Sequence, residues 1–133
     1  MAAEIIKLGK PMAANYGWKL DANDRTRLLD LFKPAWPDVI ADHVTFGVRN
    51  GRVALLATTG EVVGSVNDGE GIQTLIVAIG GSTARADGGI YHITWSIDRQ
   101  RGRRPVESNE VIARLGWVTC MEKISVLLFP SQI

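Results

Sequence analysis

The sequence predicts one α+β domain, and three observations carry that reading. Segments near residues 15–20, 61–79 and 91–97 alternate apolar and polar residues or run apolar between turns, as strands do. Residues 21–33 and 108–116 instead space their apolar residues at helical intervals between capping residues. A chain of 133 residues is long enough to bury a real core as a single domain over 1–133.

Bulk composition narrows the class. The chain is 46% hydrophobic and 22% charged, which is ordinary for a soluble globular protein. A formal net charge of +1 excludes a uniformly basic nucleic-acid coat but leaves a local basic patch open. Cys120 is the one cysteine and has no partner for an internal disulfide, so a reducing compartment is expected. No apolar run approaches the roughly 20 residues of a membrane helix, and Met1 to Lys10 has no signal-peptide core. A soluble cytoplasmic domain is the expectation.

Element by element, residues 1–14 are weakly patterned and read as a loosely docked arm. Asn15 to Leu20 reads as the first strand. Asp21 is a helix N-cap with Asp24 in the first turn, Leu28, Leu29 and Phe32 form the apolar stripe, and Pro34 ends the helix after Lys33. Asn50-Gly51 marks a turn, and Val53 to Ala57 is expected as a short strand. Residues 61–79 form a hairpin about Asp68-Gly69-Glu70-Gly71. Gly80 to Gly89 is expected as a flexible loop; lacking Gly-Lys-Ser/Thr and a following helix, it is no P-loop, yet it sits as a candidate lid. Ser108 reads as the N-cap of a helix carrying Val111, Ile112 and Leu115 to Gly116. Lys123 to Phe129 closes the chain as a strand ended by Pro130.

Chemistry concentrates in two triplets, His43-Val44-Thr45 and His92-Ile93-Thr94. Residues i and i+2 of a strand share a face, so each triplet sets an imidazole beside a hydroxyl while Val44/Phe46 and Ile93/Trp95 anchor the other face. A single triplet reads as a half-buried strand histidine bonded to its threonine. With eight threonines in 133 residues, both histidines having one two positions on has a chance of about 0.004, which favours a shared site. Two imidazoles that exchange protons near neutrality and two hydroxyl donors make a cradle for a phosphodiester. Arg99, Arg101, Arg103 and Arg104 follow directly and are open to two readings, a solvated turn or a phosphate-binding rim. Tyr16, Trp18 and Trp95 are candidates to stack on a base, with core packing the commoner fate of such residues. Two histidines and a lone cysteine make a poor zinc site.

On these residues the chain resembles the 2H phosphoesterases, a family defined by two His-x-Ser/Thr motifs on the central strands of a two-lobed α+β fold. "ADHVTF", and "YHITWSI" followed by "RRPVESNEVI", resemble the cyclic phosphodiesterase domain of fungal-type tRNA ligases over about residues 15 to 129. The resemblance implies two-lobed, pseudo-symmetric antiparallel sheets with helices on the outside. It implies that His92 activates water, His43 protonates the departing ribose oxygen, and Thr45 and Thr94 hold the non-bridging oxygens, with no metal or cofactor. The implied substrate is an RNA end or nucleotide bearing a 2′,3′-cyclic phosphate, opened to a 2′-phosphate, beside RNA kinase or ligase partners encoded elsewhere. The motifs lie 49 residues apart, shorter than the family's usual spacing, so the loops that select substrate are reduced or different. Three alternatives stay open: a hydrolase of cyclic di- or oligonucleotide signals using the same site, a non-catalytic RNA-end-binding module, and a purely structural domain.

Overall fold

The structure, a computed structural model, describes residues 14–49 and 55–133. The expected arm, apart from Ala14, and the Asn50-Gly51 turn lie outside the described residues. So do residues 53 and 54 of the expected strand over 53–57, and 55–57 are irregular.

Among the described residues seven strands form one antiparallel sheet: β1 (Ala14–Leu20), β2 (Asp38–Val39), β3 (His43–Arg49), β4 (Thr58–Asn67), β5 (Ile72–Ile79), β6 (His92–Ile97) and β7 (Val118–Gln132). Their order is β2-β6-β5-β4-β7-β1-β3, with helices α1 (Ala22–Leu31) and α2 (Ser108–Leu115) at the periphery. The fold is therefore α+β, a curled antiparallel sheet with outer helices.

Capping residues place α1 much as the sequence requires. The Asp21 carboxylate accepts from the Asp24 N–H at 3.0 Å, and the Phe32 N–H closes the helix on Leu28 O. The helix stops two residues earlier than expected, at Leu31, because the residue before Pro34 is driven out of helical geometry. The 61–79 hairpin forms as β4 and β5, its turn held by Asp68 Oδ1 accepting from Glu70 N and Ile72 N.

The curl is made by residues 38–43. Asp38 and Val39 pair with Ile97 and Ser96, then Ile40 N and Ala41 N donate to the carbonyls of Trp95 and Thr94. At Ala41 the backbone turns, with φ +45°, a conformation that costs a non-glycine residue about 1–2 kcal/mol. Full burial of Ala41 and a 2.7 Å bond from Arg25 Nε to its carbonyl hold that turn. The chain then leaves β6 for β1, where His43 pairs with Lys19. One six-residue run thus stitches β6 to β1 and joins the two ends of the sheet.

Two β-bulges fall at matching places. Opposite β1, Tyr16 and Gly17 pair with Gly47 and Thr45, leaving Phe46 unpaired; opposite β5, Gln73 and Thr74 pair with Ser96 and Thr94, leaving Trp95 unpaired. Each extra residue is the aromatic just after a motif threonine. At the first bulge a Cβ on Gly17 would collide with the Val44 carbonyl, so only glycine allows the close approach.

Two apolar clusters support this frame. Val44, Ile93, Trp95, Leu28 and Leu128 belong to the main core, while Ile72, Ile76, Ile97, Val111 and Ile112 pack beneath α2. Ile93 and Trp95 are fully buried, each contributing about 1.5–3 kcal/mol. Past the bulge the side-chain parity shifts, and Ile97 joins the α2 cluster rather than the core of Ile93 and Trp95.

Three expectations are corrected. Ser108 is the first residue of α2 rather than its N-cap, and its hydroxyl turns to Thr94 instead. The closing strand extends over Val118–Gln132 and passes through Pro130. Asp21 N bonds Leu127 O and Ile133 N bonds Asn15 O, so Pro130's nitrogen points away from β1. On that far side pairing with β4 has ended at Leu128, and no donor is missed. Gly80 to Gly89 is not a loose loop: Ile79 bridges Ser82, Ala84 bridges Ile90, and Arg85 and Gly89 close a small hairpin.

Candidate active site

The two triplets converge on one cleft of about 350 Å³, lined by His43, Thr45, His92 and Thr94 among others. β3 and β6 deliver them, with Val44 and Ile93 fully buried beneath as period-two strands require.

The histidines differ in setting. His92 is only 8% exposed, and its Nδ1 lies 2.8 Å from Ile90 O. A carbonyl only accepts, so Nδ1 carries the proton and neutral His92 keeps a lone pair on Nε2. Burial pushes its pKa below the ordinary value; the Ile90 bond opposes this, and the charges of Arg85 and His43 add to it. His43 is more open, its side chain 26% exposed, and Nδ1 lies 3.0 Å from Asp42 Oδ2. Asp42 also receives Lys19 Nζ. Partial burial alone would raise the Asp42 pKa, but bonds from Lys19 and His43 outweigh it and hold the carboxyl below its usual range. His43 thus rests on an ionised carboxylate and His92 on a neutral carbonyl.

The threonines differ as well. Thr45 lines the cleft, half-buried, and no hydrogen bond of its hydroxyl is recorded among the described residues. Thr94 Oγ1 lies 2.9 Å from Ser108 Oγ and 3.2 Å from Pro105 O, with Ser108 fully buried. Its single proton already has internal acceptors.

Arg85 enters the site from the hairpin before β6. Its side chain is 12% exposed, lines the cleft, and binds Asp87 through Nε at 3.0 Å and Nη2 at 2.6 Å. The fork leaves Nη1 uncommitted to Asp87. Sequence reasoning marked this hairpin as a candidate lid but did not single out Arg85; a lone arginine in a glycine-rich stretch carries no local signal.

The four arginines after β6 lie elsewhere. None lines this cleft. Arg103 is held by Glu107 at 2.7 Å and Asp68 at 2.8 Å, tying the chain after β6 to the β4–β5 turn. Arg101 bonds Asp98 and stacks its guanidinium 5.2 Å from the Trp36 ring. Arg99 donates its backbone N–H to Asp38, and Arg104 donates its own to Glu107. Trp18 is a core residue, edge-on to Phe46 and Tyr91 with its indole N–H on Leu56 O, and Trp95 is sealed beneath β6. Tyr16 is half-buried on β1. Among the described residues no three His, Cys, Asp or Glu side chains cluster as metal ligands, and no helix is long and apolar enough to cross a membrane.

Comparison of the chain with family models, curated proteins and solved structures gave no match.

Proposed function

We propose that this chain is a phosphodiesterase of the 2H type that opens a 2′,3′-cyclic phosphate at an RNA end or on a nucleotide. The single observation behind it is that both His-x-Thr pairs, 49 residues apart in the chain, line one cleft.

In the proposed reaction Nε2 of neutral His92 takes a proton from water as its oxygen attacks phosphorus. The P–O3′ bond breaks, His43 gives its Nε2 proton to the departing O3′, and a 2′-phosphate remains. The unlike settings support this division. Buried His92, with its pKa lowered, is neutral at pH 7 and fit to be the base. Asp42 accepts the Nδ1 proton of His43, so the proton that His43 gives up as an imidazolium is the one on Nε2. Thr45 donates to a non-bridging oxygen, and Arg85 Nη1 opposes the charge that builds there. Nothing in these steps calls on a metal or cofactor.

The proposal includes an internal pseudo-twofold relating β3-β1-β7 to β6-β5-β4. The outward reading of strand order from each motif strand and the matched bulges at Phe46 and Trp95 support it. The test is phosphorus NMR of a 2′,3′-cyclic nucleotide with wild type, His43→Ala and His92→Ala in excess chelator. Conversion to one monophosphate isomer by wild type alone is expected. An unchanged spectrum with wild type would overturn the reading for cyclic nucleotides.

A further inference from the structure

A second cavity of about 300 Å³ adjoins the cleft, and nothing in the proposed chemistry uses it. Its walls are mostly apolar: Gly88 and Gly89 of the hairpin, Ile90, Ala113 of α2 and Trp117 just after α2. Asn109 lines both cavities and so marks where they meet. We propose that this cavity seats the nucleobase of the nucleotide whose cyclic phosphate occupies the cleft, an inference that rests on the phosphodiesterase reading.

Three features favour a flat aromatic ring that carries polar edges. First, the half-buried Trp117 offers an indole wall, and base–aromatic stacking is the sequence-tolerant way proteins hold a nucleobase. The indole is fixed where it stands, because it packs against Gly64 so closely that a Cβ there would collide with it. Second, Gly88 and Gly89 expose bare peptide planes, and open space lies over Gly88. Third, Asn109 Nδ2 donates to Val106 O at 2.9 Å, while among the described residues Oδ1 has no recorded partner. A carboxamide fixed at one end leaves an acceptor for an exocyclic amine or ring N–H of a base.

The cavity is also wired to the cleft. Ile90 forms part of its wall, and the Ile90 carbonyl is what orients His92. On the other face of the hairpin the Arg85 guanidinium lies against Gly89, where a Cβ would stand 3.0 Å from it. A base in the cavity and a phosphate at Arg85 would therefore touch two sides of the same short hairpin.

The test compares 2′,3′-cyclic nucleotides with a base-free analogue, 1-O-methylribose 2′,3′-cyclic phosphate. Ala113→Leu fills the cavity from an exposed helical position without cutting into the core, and Trp117→Leu removes the stacking face. Each variant is expected to raise KM for cyclic nucleotides about tenfold with kcat held, and to confine that penalty to base-bearing substrates. Equal penalties on the base-free analogue, or no change with Ala113→Leu, would overturn the proposal. If wild type hydrolyses neither substrate, the phosphodiesterase reading has failed, and binding of adenosine 2′-monophosphate to His92→Asn decides the cavity. A chemical-shift change at the Trp117 indole N–H then supports it, and its absence overturns it.

Discussion

The β3 and β6 halves of the cleft carry the same residues in the same bulged frame, yet their surroundings are opposite. All six residues of β6 are buried, between the main core and the cluster under α2. His92 there rests on a carbonyl, with its pKa held down, and Thr94 is engaged by Ser108 and Pro105. β3 lies at the other end of the strand order, where His43 is more exposed and backed by a carboxylate that Lys19 shares. Repeating a motif therefore repeats its geometry but not its electrostatics. In the proposed reaction, burial and the identity of one acceptor are what fit one imidazole to be the base and leave the other to be the acid.

The severest test of this asymmetry is removal of each imidazole. His43→Ala and His92→Ala should each lower kcat by about 10²- to 10⁴-fold. The two should part with a substrate whose leaving group needs no proton, such as a p-nitrophenyl phosphodiester. There His43→Ala should recover most of the loss and His92→Ala should not. Equal behaviour of both variants would end the assignment of base to β6 and acid to β3.

Next come the hydroxyls. Thr45→Val should reduce kcat about a hundredfold, the order expected for one lost transition-state donor. Thr94→Val should cost less rate and more stability, about 1–3 kcal/mol, because it strips a buried partner from Ser108. Denaturant titration alongside steady-state rates would reveal a reversal.

Asp42→Asn keeps a polar group beside His43 but removes the charge and the fixed tautomer. A ten- to hundredfold loss in kcat is expected, with little change in KM. A change in KM alone would instead assign Asp42 to substrate binding.

The smallest effects are in pH. The folded pKa of His92 lies below histidine's ordinary 6.5, so the acidic limb of kcat/KM should fall below that value. Arg85→Gln removes a positive charge that disfavours imidazolium, so it should move the limb upward toward 6.5. Stability follows with a definite sign. Between the folded and unfolded pKa the unfolded chain binds the extra proton, so His92 lowers stability as pH falls below about 6.5. His92→Asn keeps a donor for Ile90 O and should flatten that slope in thermal melts.

Much of the architecture was legible locally. The Asp68-Gly69-Glu70-Gly71 turn sets the β4–β5 hairpin through side-chain bonds within four residues, and Asp21 caps α1 from three residues away. Pro130 misled for the same reason. Read alone it ends a strand, and only the loss of the β4 partner at Leu128 makes it harmless. Nothing near Ala41 announces that the chain swings there from β6 to β1, because the turn is held by Arg25, sixteen residues away, and by complete burial.

The sequence by itself determined that His43/Thr45 and His92/Thr94 would share faces over apolar anchors, since period two is a property of the backbone. Tertiary structure alone decided that the two faces meet in one cleft, through the 38–43 crossover. It also committed Arg103 to Asp68 and Glu107, brought Arg85 to the cleft, and bound Thr94 to Ser108. Those outcomes depend on which distant residues come within a few ångströms and how much water they exclude. Charge, desolvation and hydrogen bonding act through space, and neighbouring letters of the sequence do not record them.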